Sequence, residues 1–314
     1  MPPWGFGLAC GLLVSSVLFS PALILQMGGV ESLEILGNAL FFGFSVAIVA
    51  GATPSILEGA ARDLTALRSV LTIDEEGLNV LIQGLTRQSS RLSAFLLTCG
   101  LVAGLTHNYL LGQHLNAMPF LLTQTSATVL MWVVMLLTLP KIIRNAVLFS
   151  RLGKSASPDL LRPSRHSAFG SAALRPGVYQ IGIICMYGFL LLGDSSPFDD
   201  GVWIGIAASA ATLFPVVILP LLGIRARIRE ARQSSLAMLD ERINALEVGD
   251  LSTAGVDTLD AMDTLLDMRE RVVRAPGWPL DLAGVKRILL YIVLPPLTWA
   301  AAAVVEMLID GALS

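Results

Sequence analysis

Charged residues are scarce in this sequence. Asp, Glu, Lys and Arg make up 14% of its 314 residues, against roughly 25% in an ordinary soluble domain. They are also unevenly placed, since long apolar blocks of the chain carry none of them. This distribution excludes a soluble globular fold. Blocks of about 17 to 25 apolar residues predict helices that cross the roughly 30 Å hydrocarbon core of a bilayer.

Cysteines and catalytic motifs are also sparse. The only cysteines, Cys10, Cys99 and Cys185, each lie inside an apolar block, which favours packing residues over a disulfide framework or a thiolate metal site. There is no His-Glu-x-x-His, Gly-x-Ser-x-Gly or Walker motif. The tripeptide Gly153–Ser155 is excluded as a phosphate loop, because Leu148 stands where a second glycine is required. We therefore expect no enzymatic activity, cofactor, bound metal or nucleic-acid partner.

Seven apolar blocks remain as candidate membrane spans. We predict an all-α, polytopic membrane protein with seven transmembrane helices: Trp4–Met27, Ile35–Ala52, Ser93–Leu111, Met118–Leu139, Val178–Gly193, Val202–Ile224 and Ile288–Ile309. No basic residue precedes the first block, so we expect a retained span and not a cleaved signal.

The connecting segments alternate in charge. All 21 Lys and Arg residues fall in three segments, Gly51–Leu92, Pro140–Gly177 and Arg225–Arg287. Basic residues resist translocation, so these segments are predicted to be cytoplasmic, with the N-terminus inside and the C-terminus outside. The span Val178–Gly193 is short, but removing it would place the basic residues of the last segment outside. It is therefore kept.

The resulting organisation has seven units, and the expected location is a bacterial inner (plasma) membrane. In chain order the units are transmembrane helices 1 and 2 (1–57), a cytoplasmic helical pair (58–92), transmembrane helices 3 and 4 (93–139), a basic cytoplasmic loop (140–177), transmembrane helices 5 and 6 (178–224), a cytoplasmic amphipathic hairpin (225–287) and transmembrane helix 7 (288–314).

The cytoplasmic segments show helical periodicity. In the first, Thr72 and Glu75 have the spacing of a capping box between two helices. The apolar stripes of these two helices are Leu64, Leu67 and Leu71, then Leu78, Ile82 and Leu85. In the last, two helices are predicted to form an antiparallel hairpin. Their apolar stripes are Leu236, Leu239, Ile243 and Leu246, then Val256, Leu259, Leu266 and Val273.

The second helix of that hairpin also carries an acidic stripe. Its members fall three or four residues apart: Asp257, Asp260, Asp263, Asp267 and Glu270. Three interpretations fit this pattern. It is a solvated face, a surface that senses divalent cations through clustered carboxylates, or a docking surface for a basic protein partner.

The segment Pro140–Gly177 carries seven basic residues against one acid, Asp159. We expect its basic side chains to contact anionic lipid headgroups, worth about 1 kcal/mol per residue near the surface. The candidates for this contact are Arg151, Lys154, Arg162, Arg165 and Arg175.

Ionisable and polar groups within the spans are few. With the predicted orientation, these residues fall near the outer ends of their spans or in the outer loops: Glu306, His107, Asn108, Gln124, His114 and Glu34. Two interpretations stay open. They line a negatively biased vestibule for cations, or Glu306 simply reaches the membrane interface.

Backbone interruptions and small residues mark packing positions. The pair Pro295 and Pro296 in the seventh span is a candidate hinge, or else a static kink. Glycines four residues apart within the spans allow close helix packing, within the chain or in a homo-oligomer.

Two classes of function are consistent with these patterns. The first is a channel or carrier for a small ion or solute, with a cation favoured by the acidic exterior and with the cytoplasmic hairpin as a regulatory region. The second is a non-transporting membrane subunit or scaffold whose hairpin binds a protein partner. The scarcity of polar groups inside the spans supports the second. The outer polar groups, the acidic exterior and the Pro295–Pro296 interruption support the first, which is the predicted function.

Overall fold

The structure, a computed structural model, describes residues 3–24, 29–71, 73–110, 120–191, 200–246, 256–279 and 282–313. Its regular structure in these ranges is helical, without a β-strand. The α-helices are α1 (Pro3–Ile24), α2 (Gly29–Ala66), α3 (Arg68–Leu71), α4 (Glu75–Thr86), α5 (Ser90–Leu110), α6 (Phe120–Ser155), α7 (Ser167–Met186), α8 (Asp200–Ala245), α9 (Val256–Arg274) and α10 (Leu282–Leu313). Two 3-10 segments, Pro163–His166 and Tyr187–Leu191, flank α7. The all-α prediction is confirmed for this part of the chain.

Five segments of the described chain are long and apolar enough to cross a membrane. They are Ile35–Ala66, Glu75–Leu110, Leu122–Ser155, Ser209–Ala245 and Ile288–Val305. Five of the seven predicted spans fall largely within them. The predicted first span corresponds to a shorter apolar helix, Trp4–Ser20, and the predicted fifth lies in α7 and the 3-10 segment after it. The number of seven spans and their orientation stay predictions.

Glycines four residues apart bring helices of this chain into close contact. A Cβ atom added at Gly11 of α1 would collide with Ala47 of α2. Cβ atoms added at Gly100 and Gly104 of α5 would collide with the backbone of α6. Because the space beside each glycine is filled by a neighbouring helix, these positions serve packing within one chain.

The larger of two hydrophobic core clusters lies where α2, α6, α7 and α8 meet α3 and α4. Leu64, Leu67, Phe149, Phe169 and Ile224 are fully buried at its centre. We call the segments that enclose this core, residues 56–71, 75–86, 145–175 and 221–232, the head. The predicted stripes of the first helical pair are confirmed as part of this core.

The cap of α4 differs from the predicted one. α4 begins at Glu75, and the carboxylate of Asp74 accepts a hydrogen bond of 3.0 Å from the backbone N–H of Gly77. The predicted cap, Thr72, lies outside the described residues. Asp74 stands directly before the first helical residue and is a strong capping residue, which explains the difference. Glu75 instead pairs with Arg68 at 2.9 Å.

The crossing of α6 and α8 depends on two glycines. A Cβ added at Gly223 of α8 would collide with the carbonyl of Ser150, and one added at Gly153 of α6 would collide with the backbone at Ile224. α6 continues through Pro140 to Ser155, and α7 starts at Ser167. The segment predicted as a loop from 140 to 177 is therefore helical at both ends.

Candidate functional site

A helical hairpin extends from the head. α8 continues past its last core residue, Ile228, to Ala245, and α9 packs against this extension. The Nε atom of Arg269 donates a hydrogen bond of 2.7 Å to Oδ1 of Asp240 and so joins the two helices. The predicted hairpin is present, and its turn lies outside the described residues.

The segment after α9 returns to the head. The guanidinium carbon of Arg225 lies 4.0 Å from the ring centroid of Trp278, within the range of a cation–π contact. Trp278 also lines a shallow cavity together with Asp159, His166 and Ile228. Both ends of the hairpin therefore contact the head. The sequence did not predict this role of Trp278, which stands as a single aromatic residue between two prolines.

The face of α9 that packs on α8 is not the predicted stripe. Met262 and Leu265 are half-buried and Val272 is buried. The predicted stripe residues are exposed instead: Leu259 at 37%, Leu266 at 48%, Val273 at 49% and Val256 at 73%. We call Leu259, Leu266 and Val273 the apolar strip. The apolar arc of α9 is wider than α8 covers, and the Arg269–Asp240 pair lies on the covered side.

The acidic stripe borders the apolar strip. At about 100° per residue, Glu270 and Asp263 lie beside the strip and Asp267 and Asp260 lie in the next row. All five members of the stripe are exposed. Asp267 pairs with Arg271 at 2.7 Å, and Glu270 pairs with Arg274. The other members, Asp257, Asp260 and Asp263, form no ion pair with any described residue.

The described residues do not form a metal site on this stripe. No group of three or more His, Cys, Asp or Glu side chains converges there or elsewhere in the part of the chain that the structure covers. Ca²⁺ requires six to eight oxygens around one point. The cation-sensing interpretation of the stripe stays a prediction.

The basic candidates of the segment 140–177 fall into two groups. Arg151, Lys154, Arg162 and Arg165 are exposed on the head, and Arg165 lies 3.6 Å from Asp159. Arg175 is different, since it is 23% exposed and donates to Asp63 of α2 at 2.7 and 3.3 Å. Its guanidinium joins α7 to α2.

Space for this guanidinium comes from Gly59, where an added Cβ would collide with Arg175. The Tyr179 hydroxyl, one turn after Arg175 on α7, lies 2.8 Å from the hydroxyl of Ser55, two turns before Asp63 on α2. The α2–α7 interface therefore holds two polar contacts. Sequence reasoning missed Asp63 and Gly59, because residues far apart along the chain give no periodic signal together.

A tight turn orders the head between α6 and α7. The Asp159 carboxylate accepts hydrogen bonds from the backbone N–H groups of Leu161 and Arg162, both at 3.1 Å. The backbone N–H of Asp159 donates to Nε2 of His166 at 3.0 Å. His166 is 2% exposed, and its burial lowers its pKa from the ordinary 6.5. A neutral imidazole is required here, because Nε2 must accept a hydrogen bond.

The polar candidates near the predicted outer side are only partly brought together. α5 packs on α6, so His107 lies with its ring 5.9 Å from that of Trp132. Asn108 is buried and donates to the carbonyls of Gly104 and Thr125 at 3.1 and 3.4 Å.

The other polar candidates are less fully described. Gln124 lies on α6, and the backbone of Glu306 lies on α10, which packs on α7. The side chains of Glu34 and Glu306, and all of His114, lie outside the described part of the chain.

The proline pair does not end its helix. α10 runs through Pro295 and Pro296, and the Thr298 hydroxyl donates to the Pro295 carbonyl at 2.8 Å. The indole of Trp299 donates to the Ile184 carbonyl of α7 at 3.2 Å. The bond from the Trp299 indole joins α10 to α7 at the level of this proline pair.

Comparison of the chain with protein-family models, with curated proteins and with solved structures finds no match.

Proposed function

We propose that this chain is a membrane-anchored subunit whose cytoplasmic hairpin, α8–α9, docks a protein partner. The observation that carries this proposal is the apolar strip. Leu266 and Val273 are about half exposed and lie beside the apolar face of α9 that packs on α8. A helix whose apolar arc extends beyond its packed face into solvent has the pattern of an interaction surface.

The distribution of polar groups supports an anchoring role for the spans. Hydroxyls within the apolar helices donate to backbone carbonyls, as Thr53 does to Val49, Thr138 to Val134 and Thr98 to Ala94. Such local bonds satisfy the helix itself. They leave few side chains to line a path for ions.

The orientation belongs to the same proposal. The basic residues of the three connecting segments favour a cytoplasmic head and hairpin, attached to seven spans in a bacterial plasma membrane. The exposed side chains of Arg151, Lys154 and Arg162 then contact anionic headgroups and hold the head against the bilayer.

Site-specific photo-crosslinking tests the docking function. The photoreactive amino acid p-benzoylphenylalanine replaces Leu266 in one version of the full chain and Met268 in another. Both versions are expressed in the organism that naturally makes the protein, so that its partner is present. Met268 is 46% exposed and lies about 200° around the same helix, so it is a matched control.

Docking predicts a discrete crosslinked species from position 266 that is absent from position 268. The species is also expected to disappear when Leu259→Asp is added to the chain. Equal crosslinking from both positions, or none from position 266, would contradict the proposal.

A second candidate is a channel or carrier for a small cation. One observation favours it: Asn108 is 4% exposed, and its Oδ1 has no hydrogen-bond partner among the described residues. Cation flux into liposomes holding the wild type, Asn108→Leu or Glu306→Gln tests this function. Flux in the wild type that both substitutions abolish supports transport, and absence of flux for common monovalent and divalent cations rejects it.

A further inference from the structure

The spacing of the residues in the apolar strip favours a helix as its binding partner. Leu259, Leu266 and Val273 are spaced seven residues apart. Side chains at this spacing form a nearly straight seam along one side of a helix. A second helix with apolar residues at the same spacing can follow such a seam over its whole length.

The acidic stripe determines which charge the partner helix must carry. The acidic stripe borders the seam, and Asp260 and Asp263 are exposed and form no ion pair with a described residue. A second copy of α9 in parallel orientation would bring like charges together, and an anionic bilayer surface would be repelled in the same way. A helix with basic residues beside its apolar side would neutralise the stripe.

The hairpin is also polarised along its length. Its base carries Arg225, Arg227, Arg229 and Arg232 on α8. From Asp240 to Asp263, the sequence has seven acidic residues and one basic residue, Arg242. Anionic lipid attracts the base and repels the distal part. The acidic part is therefore directed away from the bilayer, where a partner can reach it.

We propose that the seam and the acidic stripe of α9 bind a basic amphipathic helix of a partner protein. This inference rests on the proposed docking function and names the chemistry of the partner. The apolar side of the partner helix covers the strip, and its Lys or Arg side chains pair with Asp260 and Asp263 across the border.

A synthetic probe tests this directly. The full chain is held in nanodiscs of zwitterionic phosphatidylcholine, and empty nanodiscs supply the background, since basic amphipathic peptides also bind lipid. The probe is a fluorescent Leu/Lys peptide with Leu at helical spacing. One control peptide has the same composition in scrambled order, and another has Glu in place of Lys. Fluorescence anisotropy measures binding.

The expected result is saturable binding of the Leu/Lys peptide above the background, weakened by added salt, and weaker binding of both control peptides. Leu266→Asp and the double variant Asp260→Lys with Asp263→Lys are each expected to weaken binding by at least about tenfold. Met268→Asp is expected to bind as the wild type does, which also shows that the chain stays folded with an added charge on α9.

Several outcomes would overturn the inference. Equal binding of the Leu/Lys and Leu/Glu peptides removes the role of charge, and equal binding by wild type and Leu266→Asp removes the role of the seam. Saturable Ca²⁺ or Mg²⁺ binding that the double lysine variant abolishes, without peptide binding, assigns the stripe to cations. Crosslinking from position 266 combined with charge-independent peptide binding would leave docking intact and overturn only the basic partner.

Discussion

Arg175 donates two hydrogen bonds to the carboxylate of Asp63, at 2.7 and 3.3 Å, across 112 positions of the chain. The two side chains are 23% and 10% exposed, so solvent screens them only partly. The pair joins α7 to α2 at the edge of the head.

Removing one charge of this pair is expected to destabilise the fold. Asp63→Asn leaves the Arg175 guanidinium without its counter-charge, and we expect a loss of about 2 to 3 kcal/mol in the free energy of unfolding. Thermal unfolding in nanodiscs, followed by tryptophan fluorescence, measures it. The control is Glu75→Gln, which removes the exposed pair with Arg68 and is expected to cost less than about 1 kcal/mol. Equal effects of the two substitutions would reject the role given to the buried pair.

Gly59 is expected to tolerate no larger side chain. Gly59→Ala places a Cβ against the Arg175 guanidinium, so the ion pair must shift, and we expect a lower melting temperature despite the higher helix propensity of alanine. Gly84→Ala is the matched control, since nothing lies within 4 Å of the added Cβ. It is expected to stabilise α4 by about 0.5 to 1 kcal/mol. Melting temperatures that rise for both variants would show that Arg175 moves without cost.

The crossing at Gly223 is expected to be less tolerant still. In Gly223→Ala the added Cβ meets the backbone carbonyl of Ser150, which cannot rotate away as a side chain can. We expect separation of α6 from α8 and greater protease cleavage of the head than in Gly277→Ala, where the added Cβ meets nothing within 4 Å. Identical cleavage of the two variants would contradict this close approach.

The head is expected to lose stability in mild acid. Burial lowers the pKa of His166 below its ordinary 6.5, so the unfolded chain binds a proton more readily than the folded one. The stabilising effect of the neutral ring is complete above about pH 6.5 and is lost as the pH falls below that value.

His166→Gln provides the comparison for this pH dependence, because its amide oxygen accepts a hydrogen bond and does not titrate. Melting temperatures from pH 8 to pH 5 should fall more steeply for the wild type than for His166→Gln. Parallel pH profiles would show that His166 stays neutral or that its proton is accommodated in the fold.

Local periodicity predicted much of the head. Leu64, Leu67 and Leu78 were predicted as core from their helical spacing, and each is buried. The continuation of the sixth span into a long helix is also confirmed by α8. These features depend on a few neighbouring turns of helix, so a single sequence contains the whole signal.

Contacts between distant segments were not predictable in this way. Asp63 and Arg175 lie on different helices with no shared pattern, and Arg175 was predicted to contact lipid because its charge was counted with its neighbours. The orientation of α9 was missed for a related reason. Its apolar arc is wider than one partner helix covers, and periodicity alone does not show which part of a wide arc meets α8.

The crossing at Gly223 lies near the middle of α8. About 23 residues of helix lie on one side of this point and about 22 on the other, close to 34 Å in each direction at 1.5 Å per residue. The backbones of α6 and α8 touch there, so α6 holds α8 near its midpoint, with about equal lengths of helix extending to either side.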